Sequence, residues 1–540
     1  MKLSKNKYQI LILFSFLLLG ACSDEYLNPE PRTQYTEAEI WKNKENTYLY
    51  INGFYKPIYE YGPYGKKYAG VALNDGFSDI VKYNQHVMGA NGGDVNKTIL
   101  NPIISPSGVV LSDYQYEYNR IRRINEFLYG LDNYVTYADE DRILMEAQAR
   151  FFRGFLHFML VRSHGGVIIR DYIDGPKEAY KARSSESDCY DFISKELDFA
   201  AKNLPWEWDA ASLGRLTKGG VYGYKSRVML YAERWQDAID AAEKVIEKEG
   251  SLYELESDYD KIFKTLDSKE GVLSYRFGGT LGHSFHQLYC PKGDKSEGVI
   301  GIAGPTLEMV DSYRMADGSK FDWSNPEHAA NPYANREPRF YASVLYNGAP
   351  WKGRTIETFV GGKDGFEQYG AQQSSGGTTT GYYIRKMLDE GASFDKVSDQ
   401  TWYEVRYAEV LLNHAEALNE LGRGSEAIVS LNKVRARAKL PAVTVTDKEA
   451  LRDIIREERK VELAFEGQRY WDLRRWKLAT SVLNGVRMHG TKITKEGDTF
   501  VYETVECDDK DRVFKESYYK LPVPQNEIDN NPLCKQTPLW

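Results

Sequence analysis

Asn419–Val434 reads NELGRGSEAIVSLNKV, and Tyr231–Ile246 reads YAERWQDAIDAAEKVI. In each stretch a small residue beside a branched one, Ala238-Ile239 and Ala427-Ile428, is followed seven residues on by a valine, Val245 and Val434, with a lysine just before it. Residues four and seven apart share one face of a helix, and alanine on that face lets an antiparallel neighbour come close. Both stretches therefore predict the second helix of a helix hairpin. Nearly two hundred residues separate the two copies, so the expectation is a helical scaffold carrying insertions rather than an unbroken solenoid.

The hairpins resemble tetratricopeptide helix pairs, which in contiguous form repeat every 34 residues. Outward from them, helices are predicted over Glu37–Tyr59, Ser112–Leu131, Glu140–Ser163, Ser187–Asn203, Lys448–Phe465 and Gln468–Leu483. Glu140–Ser163 has the clearest stripe, Ile143, Ala147, Phe151, Phe155, Phe158 and Val161, and stops at Gly165-Gly166. Residues 74–111 and 271–400 lack helical periodicity and are rich in glycine and turn dipeptides. The domain reading is a helical region 37–270 with loop insertion 74–111, an irregular lobe 271–400, and a helical region with a proline-bearing tail over 401–540.

The first residues are not part of that fold. Lys2, Lys5 and Lys7 precede an apolar run, Ile10–Leu19, that ends in Leu19-Gly20-Ala21-Cys22. This is the layout of a secretory signal, and the run is shorter than the roughly 20 residues a spanning helix needs. The cysteine after two small residues resembles a lipobox, which implies residues 1–21 as signal peptide and Cys22 as the acylated N-terminus. Ser23-Asp24-Glu25 and the proline-bearing stretch behind it read as a tether over 22–36.

Composition excludes several functions. A net charge of −8 and a pI near 5.7, without a basic stripe, argue against a nucleic-acid partner. Cys189, Cys290, Cys507 and Cys534 form no C-x-x-C pair, so neither zinc nor dithiol redox chemistry is indicated; spacing leaves a Cys507–Cys534 disulfide open. No nucleophile-elbow, zincin, Walker or dinucleotide motif is present, which points to no cofactor and no metal. His283 and His286 lack the acidic or thiol neighbour that a metal site would add. Arg406, Glu409 and Glu416, with Glu457, Arg459, Glu462, Arg469, Asp472, Arg474 and Arg475, crowd strongly helical text. They read as ion pairs on helix surfaces and between helices rather than as a catalytic carboxylate pair. The 40 Tyr and 10 Trp supply rings with an apolar face and a polar edge, suited to half-wet surfaces.

One ordered set of segments spans nearly the whole chain. EAQARFFRGFLHFMLVRSHGGVII (146–169), GRLTKGGVYGYKSRVMLYAERW (214–235), GPTLEMVDSYRMADG (304–318), NREPRFYASVLYNG (335–348), VRYAEVLLNHAEALNELG (405–422), EERKVELAFEGQRYWDLRRW (457–476) and the tail YYKLPVPQNEIDNNPLCKQTPLW (518–540) resemble SusD/RagB-type lipoproteins. The resemblance departs at His164, where an aromatic is usual, and in the tail at Lys535–Pro538. It implies a mainly α fold of tetratricopeptide-like helix pairs with an inserted, loop-rich ligand-binding lobe. It also implies a lipid-anchored protein exposed on an outer membrane, partnered by a SusC-like TonB-dependent transporter and capturing oligosaccharide without enzymatic activity. A peptide ligand, as in RagB-like relatives, and a surface glycoside hydrolase are the alternatives. Recognition falls to loops, so the expected ligand-binding residues are Asp75, Asp79, Tyr83, His86 and Asn91 in the first insertion, and Tyr289, Trp323, Trp351 and Tyr369 in the second.

Overall fold

The computed structural model describes residues 40–65, 74–84, 102, 104–108, 112–175, 178–278, 281–294, 301–368, 377–392 and 396–540. Its scaffold is a stack of helices: α1 (Lys44–Asn52), α2 (Tyr114–Tyr134), α3 (Asp139–His164), α4 (Glu186–Asn203), α5 (Lys218–Tyr231), α6 (Trp235–Ile246), α7 (Tyr407–Glu420), α8 (Gly424–Arg437), α9 (Lys448–Glu462) and α10 (Arg469–Arg475). Each of α2 to α8 packs on the next in the series, and α9 packs on α7. Capping fixes several starts: the side chains of Ser185, Thr217 and Asp447 accept backbone N–H bonds from Asp188, Gly220 and Ala450.

The two hairpins predicted from the repeated text are α5–α6 and α7–α8. Both turn through a left-handed residue, Glu233 (φ 55°) and Gly422 (φ 76°). Both close with the same hydrogen bond, Arg234 N–H to Met229 O and Arg423 N–H to Leu418 O, each 2.9 Å. Ala238, Val245, Ala427 and Val434 are fully buried. The scaffold is continuous in space where the sequence is not, because α6 packs directly on α7. The second insertion leaves the stack after α6 and returns to it at α7.

Helix α3 is the centre of the first half. Beyond its predicted stripe, every residue from Phe151 to Val161 is buried, whereas Ile143 is exposed; a helix buried on all sides needs partners for its polar groups. Arg153 donates to Glu196 (2.7 Å) and Asn125 (2.9 Å). Burial drops His157 and His164 to about 3, so both are neutral. His164 contacts Ser112 Oγ at 2.5 Å and Leu521 O at 3.2 Å, which ties the tail to the end of α3. The predicted 468–483 helix breaks into α10 and a short turn, Ala479–Leu483, at Lys477 (φ 58°).

The strands form two-stranded pieces. β1 (Val81–Tyr83) pairs with β3 (Ala303–Pro305), β2 (Gly271–Tyr275) with β6 (Trp402–Arg406), and β4 (Val344–Leu345) with β5 (Tyr383–Ile384), all antiparallel. β7 (His489–Glu496) and β8 (Thr499–Glu506) make a hairpin that the sequence reading missed, although Gly497 (φ 62°) marks its turn.

The charged segments are architecture, and most of their pairs run between elements rather than along one helix surface. Glu270, Glu337, Glu458, Glu462 and Glu466 interlock with Arg339, Lys386, Arg406, Arg435 and Arg437, all buried or nearly so. Glu462 alone meets Arg339 (2.9 Å), Arg406 (2.6 Å) and Arg437. Burial opposes its charge, yet these three cations hold its carboxyl well below the usual range. Of the ten charged residues read from the sequence, Arg475 and Asp472 form a three-residue helical pair; most of the others bond across elements. The surface-pair expectation is corrected accordingly: the network joins the lobe, through Glu337, Arg339 and Lys386, to α8 and α9.

The four described cysteines are free thiols, so Cys507 and Cys534 are not bridged. Among the described residues, no helix is long and apolar enough to cross a membrane.

Candidate functional site

The two insertions meet at Asn84. The residue follows β1, and the β1–β3 pairing brings the first insertion against the second. The Asn84 amide donates to Gly301 O, and its carbonyl oxygen accepts from both the N–H and the hydroxyl of Thr379 at 2.9 Å. One buried side chain thus clamps three places in the chain: the residue before 85–101, the residue after 295–300, and the Gly-Thr text after 369–376. Thr378 reinforces the clamp by donating to Tyr382 O (2.8 Å), while Tyr382 and Thr491 share a hydroxyl contact of 2.8 Å.

A second layer pins the lobe beside this point. Arg354 bridges Asp294 and Asp364, each at 2.6 Å, and Asp364 also accepts from Gly293 N–H at 2.9 Å. Lys292 pairs with Glu367 at 2.8 Å. The Lys352 ammonium meets His286 Nε2 at 3.1 Å, which calls for a neutral imidazole; burial, followed by the Lys352 charge, lowers His286 to about 4. His283 lies flat on the Tyr64 ring, centroids 3.7 Å apart. The two histidines are packing groups, and the described residues contain no cluster able to hold a metal ion.

The structure sorts the nine expected ligand residues. His86, Asn91 and Tyr369 lie outside the described residues, as does Cys22. Tyr83, Tyr289 and Trp351 are at most 1% exposed. Tyr289 stacks on Phe285 at 4.4 Å, and Trp351 donates its indole N–H to Asp294 at 2.8 Å. Those three rings have no free face for a ligand and are corrected to core positions. Asp75 and Asp79 are buried as well. Asp75 accepts from Gly467 N–H at 2.8 Å, and burial raises its carboxyl to about 7. Asp79 holds Arg469 (2.8 Å) and Lys460 (3.0 Å), and despite burial those cations drive its carboxyl far down. Both acids brace the first insertion against the end of α9 and the start of α10. Trp323 alone among the described candidate rings is half-buried; it donates to Asp311 at 3.0 Å.

Asp311 lines a groove of about 470 Å³ between Glu308, Arg314, Lys320, Arg456 and Lys460, and burial pushes its carboxyl to about 6. The sequence reading missed both this groove and Asn84. Nothing in local text marks Asn84, whose partners lie more than two hundred residues away.

With this architecture in place, comparison with known proteins is decisive. A profile of the SusD family matches residues 262–540, more than half of the chain. The chain belongs to the SusD family. A second profile, described as starch-binding associating with outer membrane, matches residues 26–230 of this SusD-family protein. A SusD-like protein of Formosa agariphila is 26% identical over 502 residues, covering 88% of this chain and 92% of its own. A SusD-like protein from Bacteroides fragilis superimposes with a TM-score of 0.78 at 28% identity, covering 93% of this chain and 98% of that one. A SusD-like carbohydrate binding protein from the same organism gives 0.78 at 24% identity, over 92% and 100%.

Proposed function

We propose that this SusD-family protein captures oligosaccharide at the outer-membrane surface, without cleaving it, and passes it to a TonB-dependent transporter. The observation that carries the reading is the Asn84 clamp, which gathers the ends of three loop segments from both insertions against a rigid scaffold. A ligand site built on loops gains affinity when its supports are fixed. Family membership, and the carbohydrate binding ascribed to the Bacteroides fragilis relative, supply the ligand class. His86, Asn91 and Tyr369, which flank the clamp in the chain, are the proposed contacts there, and Trp323 is a further ring. Cys22 is the proposed membrane anchor.

The test is calorimetric titration of residues 23–540 with a panel of neutral oligosaccharides and, in parallel, peptides. Saturable binding of a glycan with no shortening of it is expected, and Tyr369→Ala should weaken it about five- to tenfold through loss of one stacking ring. Binding of peptides alone selects the RagB-like alternative. Release of shorter sugars would instead make Asp311 the acid to substitute first, since a carboxyl near 6 can serve as a general acid. Delivery is tested by recovering a barrel transporter with the full-length lipoprotein extracted in mild detergent; a chain that purifies alone from such membranes counts against that part.

A further inference from the structure

A cavity of about 340 Å³, with no lining residue from either insertion, lies between the ends of α3 and α5, the start of α4, α10 and the tail. Its lining carries Arg162, Arg234, Arg474, Arg475, Lys477 and Lys520 against two carboxylates, Glu186 and Glu233. Four of the cations are accounted for or exposed. Arg475 pairs with Glu416 and Asp472, Arg234 with Asp191, and Lys520 with Glu186, while Lys477 is exposed.

Arg162 and Arg474 are different. Neither forms an ion pair among the described residues, and Arg474 is only 4% exposed. Its Nη2 donates to Tyr519 O at 2.8 Å, but Nε and Nη1 have no hydrogen-bond partner. Arg162 lies over the Trp471 ring at 3.8 Å, and its buried Nε is also unpartnered. Arg474 sits 4.8 Å from the same ring. Two further donors along this lining, Trp471 Nε1 and the Tyr231 hydroxyl, are buried and unused. Burial, and after it the neighbouring Arg162 charge, disfavour the charged form of Arg474, whereas the Tyr470 side chain beside it favours that form without supplying a counter-charge.

Buried polar groups are normally satisfied, and a buried charge without a counter-charge is costly. Two unneutralised guanidiniums sharing one cavity with unused N–H and O–H donors are the inverse of an oxyanion: every buried open position can donate, and the one unpaired carboxylate of the lining, Glu233, is exposed at its edge. We infer that this cavity binds a single oxyanion, held between Arg162 and Arg474 with Trp471 and Tyr231 as further donors. The oxyanion is either a free inorganic ion or the acidic substituent of a sugar. Trp471 already carries Arg162 on its face, so the site takes the anionic group rather than stacking a sugar ring.

The experiment titrates residues 23–540 with sodium sulfate, glucuronate and galactose 6-sulfate at constant ionic strength, using chloride as the reference. Saturable binding at one site is expected for at least one of them. Arg162→Met and Arg474→Met should each weaken it about tenfold or more, the scale of losing a hydrogen bond to a charged group, while Arg122→Met leaves it unchanged. Equal affinities for sulfate and the sugar sulfate identify the free ion as sufficient, whereas tighter sugar binding identifies a substituted glycan; both support the site. Selenate located in the cavity of crystals by anomalous scattering supports it even if the Arg474 variant does not fold. No saturable binding by any of the three anions, or binding that both variants retain in full, overturns the inference. Binding of neutral oligosaccharide should not change in either variant, which keeps this test separate from that of the loop site.

Discussion

At the scale of single residues, burial decides what a side chain can do. Trp351 and Trp323 look alike in the sequence, each a tryptophan in the irregular second insertion, but Trp351 is buried and Trp323 only half-buried. Trp351→Ala removes a ring from the core and should cost about 3–5 kcal/mol, read by urea denaturation. Trp323→Ala should cost far less stability and, on the proposed function, weaken glycan binding. Asp75 offers a sharper check. Its carboxyl is raised from 3.8 to about 7, so its contribution is intact below pH 4 and is lost as pH rises through 7, where ionisation strands a buried charge. Oδ1 of Asp75 is also unpartnered. Asp75→Asn keeps an acceptor for Gly467 N–H and should stabilise the protein at pH 8 by about 1–3 kcal/mol, with little change at pH 4. Equal effects at both pH values would show that the carboxyl is not the raised group. Such distinctions were not legible beforehand, because burial of Tyr83, Tyr289 and Trp351 is set by segments far away in the chain.

At the scale of elements, the helices were legible and their connections less so. The stripe of α3 and the Ala…Val spacing of α6 and α8 are local signals, and α2, α3, α4 and α9 lie within about three residues of their expected bounds, whereas α1 is Lys44–Asn52 where Glu37–Tyr59 was expected. The break at Lys477 was missed because a left-handed residue within helical text leaves no periodic trace; the β7–β8 hairpin was missed although Gly497 marks its turn. The pairs between helices were expected in kind, but their partners were not legible, because spacing reveals neighbours on one helix and not the groups that the fold brings together. Their energetics follow from burial. Glu462→Gln leaves Arg339, Arg406 and Arg437 short of a carboxylate and should cost about 3–5 kcal/mol. Glu457→Gln breaks half-exposed pairs with Arg314 and Lys320 and should change stability by less than about 1 kcal/mol. Because Glu462 is held below its ordinary range, its stabilising contribution is complete above about pH 4.5 and fades as pH falls further. The Gln variant should therefore lose much of its deficit in acid denaturation profiles.

At the scale of the molecule, the fold class and the family were written across the chain in ordered segments, while the site was only partly so. The two insertions named as recognition loops do meet, at Asn84, but five of the six described candidates in them serve to hold the lobe rather than to face solvent. Loops that carry recognition need buried rings and acids to fix them, and text rich in aromatics does not distinguish the support from the surface it supports.

The direct seating of α6 on α7 has a consequence for biogenesis. Ala238, Ile239, Ala242 and Val245 of α6 are fully buried, partly against a helix encoded some 160 residues later. A nascent chain that has just emerged as far as α6 presents that greasy face with its mate still unsynthesised, and contacts so distant in sequence form slowly. A fragment ending at residue 246 should accordingly aggregate or be digested rapidly by protease, whereas co-expression of residues 247–540 should rescue it as a soluble pair. Until α7 is made, that face has to be kept from other apolar surfaces, because the sequence splits one stack in two.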